Sequence, residues 1–541
     1  MGYKDMTSEK IEKIIESMDL DDLVGQLLCY AAPVGSYKGE HDAFEEIVKR
    51  TKPGGLFIND GTDAEIKKMT DLGNKYSCVP VIVSGDSEYG PYPIMDNRHL
   101  LPNPMAWGSC DDAELVERGG KATAQICRKS GVHWSYAPVI DINYNKDNPI
   151  TNTRSVSDNP EQVIKMAGAY LKGLQSEGHM AGGCKHFPGD GMDDRNQHFC
   201  TSVNPMSKEE WMSTYGHVYK EIFKLDPVSV MVAHIALPAF EEEYDEVTGY
   251  LPATISKSLI TGLLRNELGF EGCIVSDALS MIGATAILPE EKLPVEFINA
   301  GGDMLLFPEP QYFDYVKDAV LDGTISMDRL KDAVRRILKM KDRVGLLDDE
   351  PHEVEITEDI GEIATKIAEK SIKVVRNADN LLPLDLKEGD TVLLCTLYFK
   401  KDYENIFEPL EKAFQKRGIK TITVKNSKHR PIEKILDEEK PQAVLVNCDF
   451  SMFDSSGCSL RMGWDSMMTF WRGIIFRHPK LIFTSFGDPY KLYELPFLRT
   501  YINTFSPCPE SQEAFVRVLL GEIEAQGKNP VNLPGFFERE V

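Results

Sequence analysis

Between residues 185 and 198 the chain reads Lys185-His-Phe-Pro-Gly-Asp-Gly-Met-Asp-Asp-Arg-Asn-Gln-His198. Two histidines, a lysine, an arginine and three aspartates surround glycines that permit tight backbone turns, a density of polar groups that packing does not require. Such a set suits acid–base chemistry. An imidazole titrating near neutrality protonates a leaving oxygen and then activates water. A second stretch, Gly272-Cys-Ile-Val-Ser-Asp277, closes an apolar run on one carboxylate. A carboxylate held by rigid backbone suits a nucleophile that attacks an anomeric carbon and carries a covalent intermediate. His198 is the candidate acid/base and Asp277 the candidate nucleophile. Asp277 as a helix cap is the plainer alternative.

The other candidates are recognition groups. Asp86, in Ser84-Gly-Asp-Ser-Glu88, is suited to accept two sugar hydroxyls. Arg154 and Lys185 are donors for hydroxyl or acetamido oxygens, with structural ion pairs as their alternative. Asp141, His186 and His234 join them at the ends of apolar runs. A metal site built on His186, His198 and His234 is disfavoured: no spacing matches a short metal motif and Lys185 would compete with a cation. Trp134, Tyr136, Trp211 and Trp471 fit core positions.

These residues need elements that converge. Apolar strand-like runs occur at Val24–Tyr30, Gly55–Ile58, Val81–Gly85, His133–Ile140, Ala181–His186, Val228–His234, Cys273–Ser276 and Asp303–Phe307. Helical stretches lie between them, with start signals at Asp158-Asn-Pro-Glu and Ser207-Lys-Glu-Glu. Eight strands alternating with helices predict a (β/α)8 barrel over residues 1–347. Asp86, Asp141, Lys185, His186, His234 and Asp277 then fall at carboxyl ends of strands, on one face. An acidic connector and a helix over 348–370 lead to a second α/β domain over 371–541. Its strands are expected at Ser371–Val375, Thr391–Leu397, Thr421–Val424, Ala443–Val446, Leu481–Ser485 and Tyr501–Phe505. They form a three-layer α/β sandwich without a glycine-rich phosphate loop; Gly457 and Gly463 do not make one.

The 541 residues suffice for two or three full cores. Sixty basic against 85 acidic side chains give a formal charge of −25, which argues against nucleic-acid or anionic-membrane partners. The eleven cysteines are scattered and form no C-x-x-C pair, as in a reducing compartment. No apolar run is long enough for a membrane span, and the first residues lack a signal-peptide core. A cytoplasmic location is the expectation, and the oligomeric state is not encoded legibly.

Several segments together resemble glycoside hydrolase family 3, in its NagZ-like β-N-acetylglucosaminidase branch. They are Met18-Asp-Leu-Asp-Asp-Leu-Val-Gly-Gln-Leu, Asp86-Ser-Glu, Tyr136-Ala-Pro-Val-Ile-Asp141, Lys185-His-Phe-Pro-Gly, Leu264-Arg-Asn-Glu-Leu-Gly-Phe-Glu-Gly with Ser276-Asp277, and Ser485-Phe-Gly-Asp-Pro-Tyr. The resemblance runs nearly end to end. It implies a retaining exo-glycosidase without metal or organic cofactor, acting on terminal β-linked N-acetylglucosamine of oligosaccharides or cell-wall fragments. Asp277 is then the nucleophile and His198 the acid/base, with Asp86, Arg154, Lys185 and His186 holding the sugar. Two departures stand out. Asn196 occupies the position of the aspartate that partners the histidine in this branch, with Asp193 or Asp194 as substitutes on the same loop. Asp190 and Tyr89 replace a histidine and a glycine of many relatives. Three alternatives follow: a β-glucosidase or β-xylosidase using a second-domain glutamate as acid/base, a β-N-acetylglucosaminide phosphorylase, and a sugar-binding protein without turnover.

Overall fold

The computed structural model describes residues 8–35, 39, 41–91, 100–178, 180–348, 353–398, 405–450 and 461–541. Gly457, residues 349–352 of the acidic connector and the first seven residues lie outside this set. The described chain forms two compact units. One comprises residues 1–100, 116–142 and 167–360; the other comprises 101–115, 143–166 and 361–541.

The first unit contains an eight-stranded sheet. Its strands are β1 (Leu28–Ala31), β2 (Gly55–Phe57), β3 (Ile82–Gly85), β4 (Trp134–Ser135), β5 (Ala181–Phe187), β7 (Ser229–Val232), β11 (Cys273–Ser276) and β12 (Leu305–Leu306). They run in the order β11-β7-β5-β4-β3-β2-β1-β12, and all neighbours pair in parallel. A parallel bridge between Val275 and Met304 joins the two ends, so the sheet closes into the expected barrel. Closure leaves no edge strand exposed and collects the strand-to-helix loops at one end.

Two strand expectations are revised. The run from Val24 is helical over Leu20–Gln26, and β1 begins only at Leu28. Asp19 explains this: its carboxylate accepts from the Asp22 N–H while Asp22 reaches back to the Asp19 N–H, a capping box that starts a helix there. The run His133–Ile140 forms a regular ladder only over β4. Pro138 has no N–H to continue it, and pairing resumes at Val139 with Lys185. The predicted helix start at Ser207 is present, with Glu210 completing its capping box.

A smaller ladder stands outside the barrel. β6 (Ser202–Val203) pairs in parallel with β8 (Ile235–Ala236), and β9 (Tyr244–Asp245) and β10 (Gly249–Tyr250) form an antiparallel hairpin.

In the second unit, β13 (Lys373–Asn377), β14 (Thr391–Tyr398), β15 (Lys420–Lys425), β16 (Ala443–Asp449), β17 (Leu481–Ser485) and β18 (Thr500–Asn503) form a sheet in the order β13-β18-β17-β16-β14-β15. Only β13 runs antiparallel to its neighbour. Along β14, Leu393, Cys395 and Leu397 enter one apolar core, while Val392, Leu394 and Tyr398 enter another. Alternation with both faces buried is the mark of a sheet covered on each side, hence three layers. A helix covers Glu408–Gln415. Trp134, Tyr136 and Trp211 are core residues as expected. Trp471 is not: it is half exposed and packs against exposed Trp464, because Arg472 and Gly473 take positive φ and break the local helix beside it.

Candidate active site

Strand β5 carries the densest part of the site. Lys185 is buried, and its ammonium lies 2.6 Å from Asp86 Oδ1 and 2.7 Å from Glu88 Oε1. Two carboxylates from the turn after β3 thus hold one cation at the strand ends. Asp86 keeps over a third of its side chain exposed, whereas Glu88 is enclosed. The pair divides the work physically: Glu88 neutralises Lys185 inside, and Asp86 presents oxygen to the surface.

The next residue, His186, is joined to Lys185 by a cis peptide bond. Its Nδ1 is 2.7 Å from Asp141 Oδ2, and its backbone N–H donates to Asp141 Oδ1. Asp141 Oδ1 also accepts from the Asp190 N–H at 2.8 Å. Asp141, itself enclosed, therefore orients the imidazole and anchors the loop that follows β5. The Tyr215 hydroxyl donates to Asp190 O, Asn204 Nδ2 to Gly189 O and Trp211 Nε1 to Pro188 O, fixing the same turn from the outside.

His198 lies further along this loop. Its Nδ1 is 2.8 Å from Asn196 Oδ1, which also accepts the His198 backbone N–H at 3.0 Å. The backbone donor identifies the Asn196 oxygen as the acceptor, so Nδ1 carries a proton. Asp193 is engaged elsewhere: Arg195 grips both its oxygens, and the Val203 N–H donates to Oδ2. These bonds outweigh the effect of partial burial and hold its carboxyl below the usual range. Asn196, rather than Asp193, partners the ring.

Gln197 ties this loop to the barrel. Its Oε1 accepts from the His234 N–H, and its amide reaches Asp190. The Ile282 N–H donates to His198 O, and a Cβ at Gly283 would lie 2.4 Å from Gln197 O. Glycine at 283 is required for that close approach.

Asp277 follows β11 and its backbone N–H donates to Val232 O. Oδ1 accepts the Ala278 N–H at 2.7 Å. Burial pushes the Asp277 carboxyl upward, but His186, His234, His198 and the Ala278 N–H together more than reverse this, leaving it below the ordinary value. A carboxylate kept ionised among three imidazoles is an available nucleophile. His234 is fully buried, with Nδ1 2.7 Å from Thr254 Oγ1 and Nε2 3.1 Å from Ala278 O. Burial lowers its pKa against the opposing pull of Asp277. Nε2 donates to Ala278 O, while the Thr254 hydroxyl beside Nδ1 donates to Ala233 O.

Of the residues singled out from sequence, Asp86, Asp141, Lys185, His186, His198, His234 and Asp277 belong to the barrel unit. Arg154 is in the other unit, buried, in the short turn Asn152–Arg154. Gln197, Thr254 and Gly283 were not singled out. Gln197 lay inside the polar segment, but nothing near Thr254 or Gly283 marks them locally.

The closed parallel barrel gathers an ionised carboxylate, imidazoles and a lysine–dicarboxylate cluster at the carboxyl ends of its strands, the face where barrels of this kind carry out catalysis. The family model described as glycosyl hydrolase family 3 N terminal domain matches residues 19–340, and the chain belongs to that family. It is an enzyme acting on O-glycosyl bonds. A β-N-acetylglucosaminidase/β-glucosidase from Cellulomonas fimi is 28% identical, over 96% of this chain and 95% of that protein. The β-hexosaminidase LpqI of Mycobacterium tuberculosis is 27% identical over 55% of this chain and 78% of its own. Among solved structures, a β-glucoside phosphorylase bound to 2FGlc superposes with a TM-score of 0.88 at 27% identity, covering 97% of each chain. Among the described residues no helix is long and apolar enough to cross a membrane.

Proposed function

We propose that this enzyme is a retaining, exo-acting glycosidase that removes terminal β-linked N-acetylglucosamine from oligosaccharides. The observation that carries this reading is Asp277, held ionised among His186, His234 and His198 at the end of β11. Asp277 attacks the anomeric carbon as the bond to the leaving oxygen breaks, and imidazolium His198 gives that oxygen the proton from Nε2. Neutral His198 then takes a proton from water as its oxygen displaces Asp277. Asp86 accepts sugar hydroxyls while Lys185 and His186 donate to the ring substituents. His234 and Asp141 hold neighbouring groups in place. The full-length likeness to the Cellulomonas fimi protein supports the acetamido sugar as first substrate.

Release of nitrophenol from the β-N-acetylglucosaminide and the β-glucoside tests this reading in wild type, Asp277→Ala and His198→Ala. Activity on the acetamido sugar, abolished in the first variant and strongly reduced in the second, is expected. Robust turnover in His198→Ala would overturn the acid/base assignment and direct the search to a glutamate of the second unit.

One observation favours a second reading. Asn196 places a neutral amide where a carboxylate would repel an incoming phosphate, and the phosphorylase above is similar over its whole length. Phosphate would replace water in the second step, releasing the sugar 1-phosphate. A rate that rises with phosphate and yields that product distinguishes phosphorolysis from hydrolysis.

A further inference from the structure

The hairpin of β9 and β10 carries an exposed tip on the barrel unit. Tyr244 pairs with Tyr250 across it, and their rings lie 4.9 Å apart at 66°. Tyr244 is 62% exposed and Val247, at the tip, 93%. Asp245 closes the turn by accepting the Val247 and Thr248 N–H groups, bonds that lower its carboxyl. Residues 242–248 are all exposed and contribute Glu242, Glu243, Asp245 and Glu246. From Glu241 to Ile255 the sequence has no lysine, arginine or histidine. No basic residue of this segment neutralises the arm, and Lys208 lies 4.9 Å over the Phe240 ring at its stem.

Its stem is firmly built. Buried Glu241 accepts from the Ser256 hydroxyl, and Ala236 of β8 bridges to Pro252. β8 in turn pairs with β6, with Ser202 opposite Ile235 and Val203 opposite Ala236. β6 is the exit of the His198 loop. The arm and the loop therefore grow from one two-strand ladder.

We infer that this hairpin is an arm for the leaving-group saccharide, with Tyr244 and Tyr250 stacking on its ring and the acidic tip favouring an amino sugar with a free, protonated amine. This rests on the reading of His198 as the group that protonates the leaving oxygen: what adjoins its loop then adjoins the leaving group. Sugar rings present apolar C–H faces to aromatic rings, and two tilted tyrosines offer such a surface without burying a polar group. Four exposed carboxylates in a segment without a basic residue attract an ammonium and repel an acidic sugar.

The test compares three substrates with the same non-reducing sugar: a glycosyl fluoride, which has no leaving saccharide, and disaccharides ending in N-acetylglucosamine or glucosamine. Wild type is expected to show a kcat/KM about fivefold higher for the glucosamine compound at low salt, a preference erased by about 1 M NaCl, where the Debye length is only ~3 Å. Glu242→Gln/Glu243→Gln/Glu246→Gln removes the preference. Tyr244→Ser/Tyr250→Ser lowers kcat/KM on both disaccharides about tenfold, mainly through KM. Fluoride turnover stays within twofold throughout. Equal rates on both disaccharides in wild type, or a fluoride rate that falls with the others, would overturn the proposal. So would a wild-type dimer that Tyr244→Ser/Val247→Ser splits without changing disaccharide turnover, since the occupant is then a second copy. If wild type turns over no fluoride, the catalytic reading fails, and the arm is judged by binding of a deacetylated chitosan oligomer. Binding lost in the tyrosine variant upholds it; no binding by wild type refutes it.

Discussion

The Oδ1 of Asn196 is 2.8 Å from Nδ1 of His198 and accepts the histidine's backbone N–H as well. One amide oxygen thus fixes ring orientation and tautomer without adding charge. A carboxylate there would do the same and also stabilise the imidazolium.

Asn196→Asp is therefore expected to raise the pKa of His198 by about one unit. The protonated ring is the acid, so activity falls as pH rises through that pKa. The basic limb of the kcat/KM profile on an aryl glycoside should move upward by the same amount. An unmoved limb would show that another group supplies the proton. If phosphorolysis is the reaction, the added negative charge should at the same time raise the KM for phosphate.

Gly283→Ala tests the docking of the His198 loop. The new Cβ meets Gln197 O, so the loop must shift. Displacement of a catalytic group by about 1 Å costs on the order of 100-fold in rate. A fall of that order in kcat with a loss of only a few degrees in Tm is expected. Unchanged kcat would show that the loop position is unimportant.

Lys185→Met leaves Asp86 and Glu88 facing each other without their cation. Removing one member of a buried ionic cluster costs about 3 kcal/mol, which chemical denaturation would detect. A second change, Glu88→Gln in the same chain, should recover part of that stability by removing the repulsion. Absence of any recovery would contradict the pairing described.

Lys341 sits in the helix Met327–Arg343, wholly buried, with its ammonium 2.7 Å from Gln26 Oε1. Burial lowers its pKa from 10.5 to about 7. Between those values the unfolded chain holds a proton that the folded chain does not, so this group makes stability rise with pH across the window. Below about 7 the full penalty of the buried amine applies. Lys341→Met should stabilise the protein by about 2 kcal/mol at neutral pH, after the loss of one hydrogen bond is allowed for. It should also flatten the dependence of Tm between pH 7 and 10. A less stable variant would show that the amine is held by more than Gln26.

Much of the fold was legible because apolar runs and helix caps carry it: Cys273–Ser276 and Leu481–Ser485 are strands with the bounds read from sequence. The polar loop after β5 was legible for the same local reason, a concentration of ionisable side chains that a core cannot absorb. What escaped depends on distant partners. Thr254 reaches His234 from a different loop, and Gly283 is demanded by a carbonyl 86 residues earlier. Trp471 looked like core because a run of apolar residues surrounds it, yet the backbone reversal at Arg472 turns it outward. The hairpin at 244–250 carries its apolar groups on a two-residue ladder, too short to give a period.

The second compact unit takes in residues 101–115 and 143–166, and Met105 and Ala106 lie in the same apolar core as Leu393, Val444 and Phe483. During synthesis from the amino terminus, that core waits for strands made some 300 residues later. A ribosome-bound chain that has just released Leu306 has every barrel strand in hand but still carries Met105 and Ala106 without their partners. A gene cut at the acidic connector would leave the same surface bare for good. Its product is expected to aggregate or recruit chaperones even though the strands that close the barrel are all present.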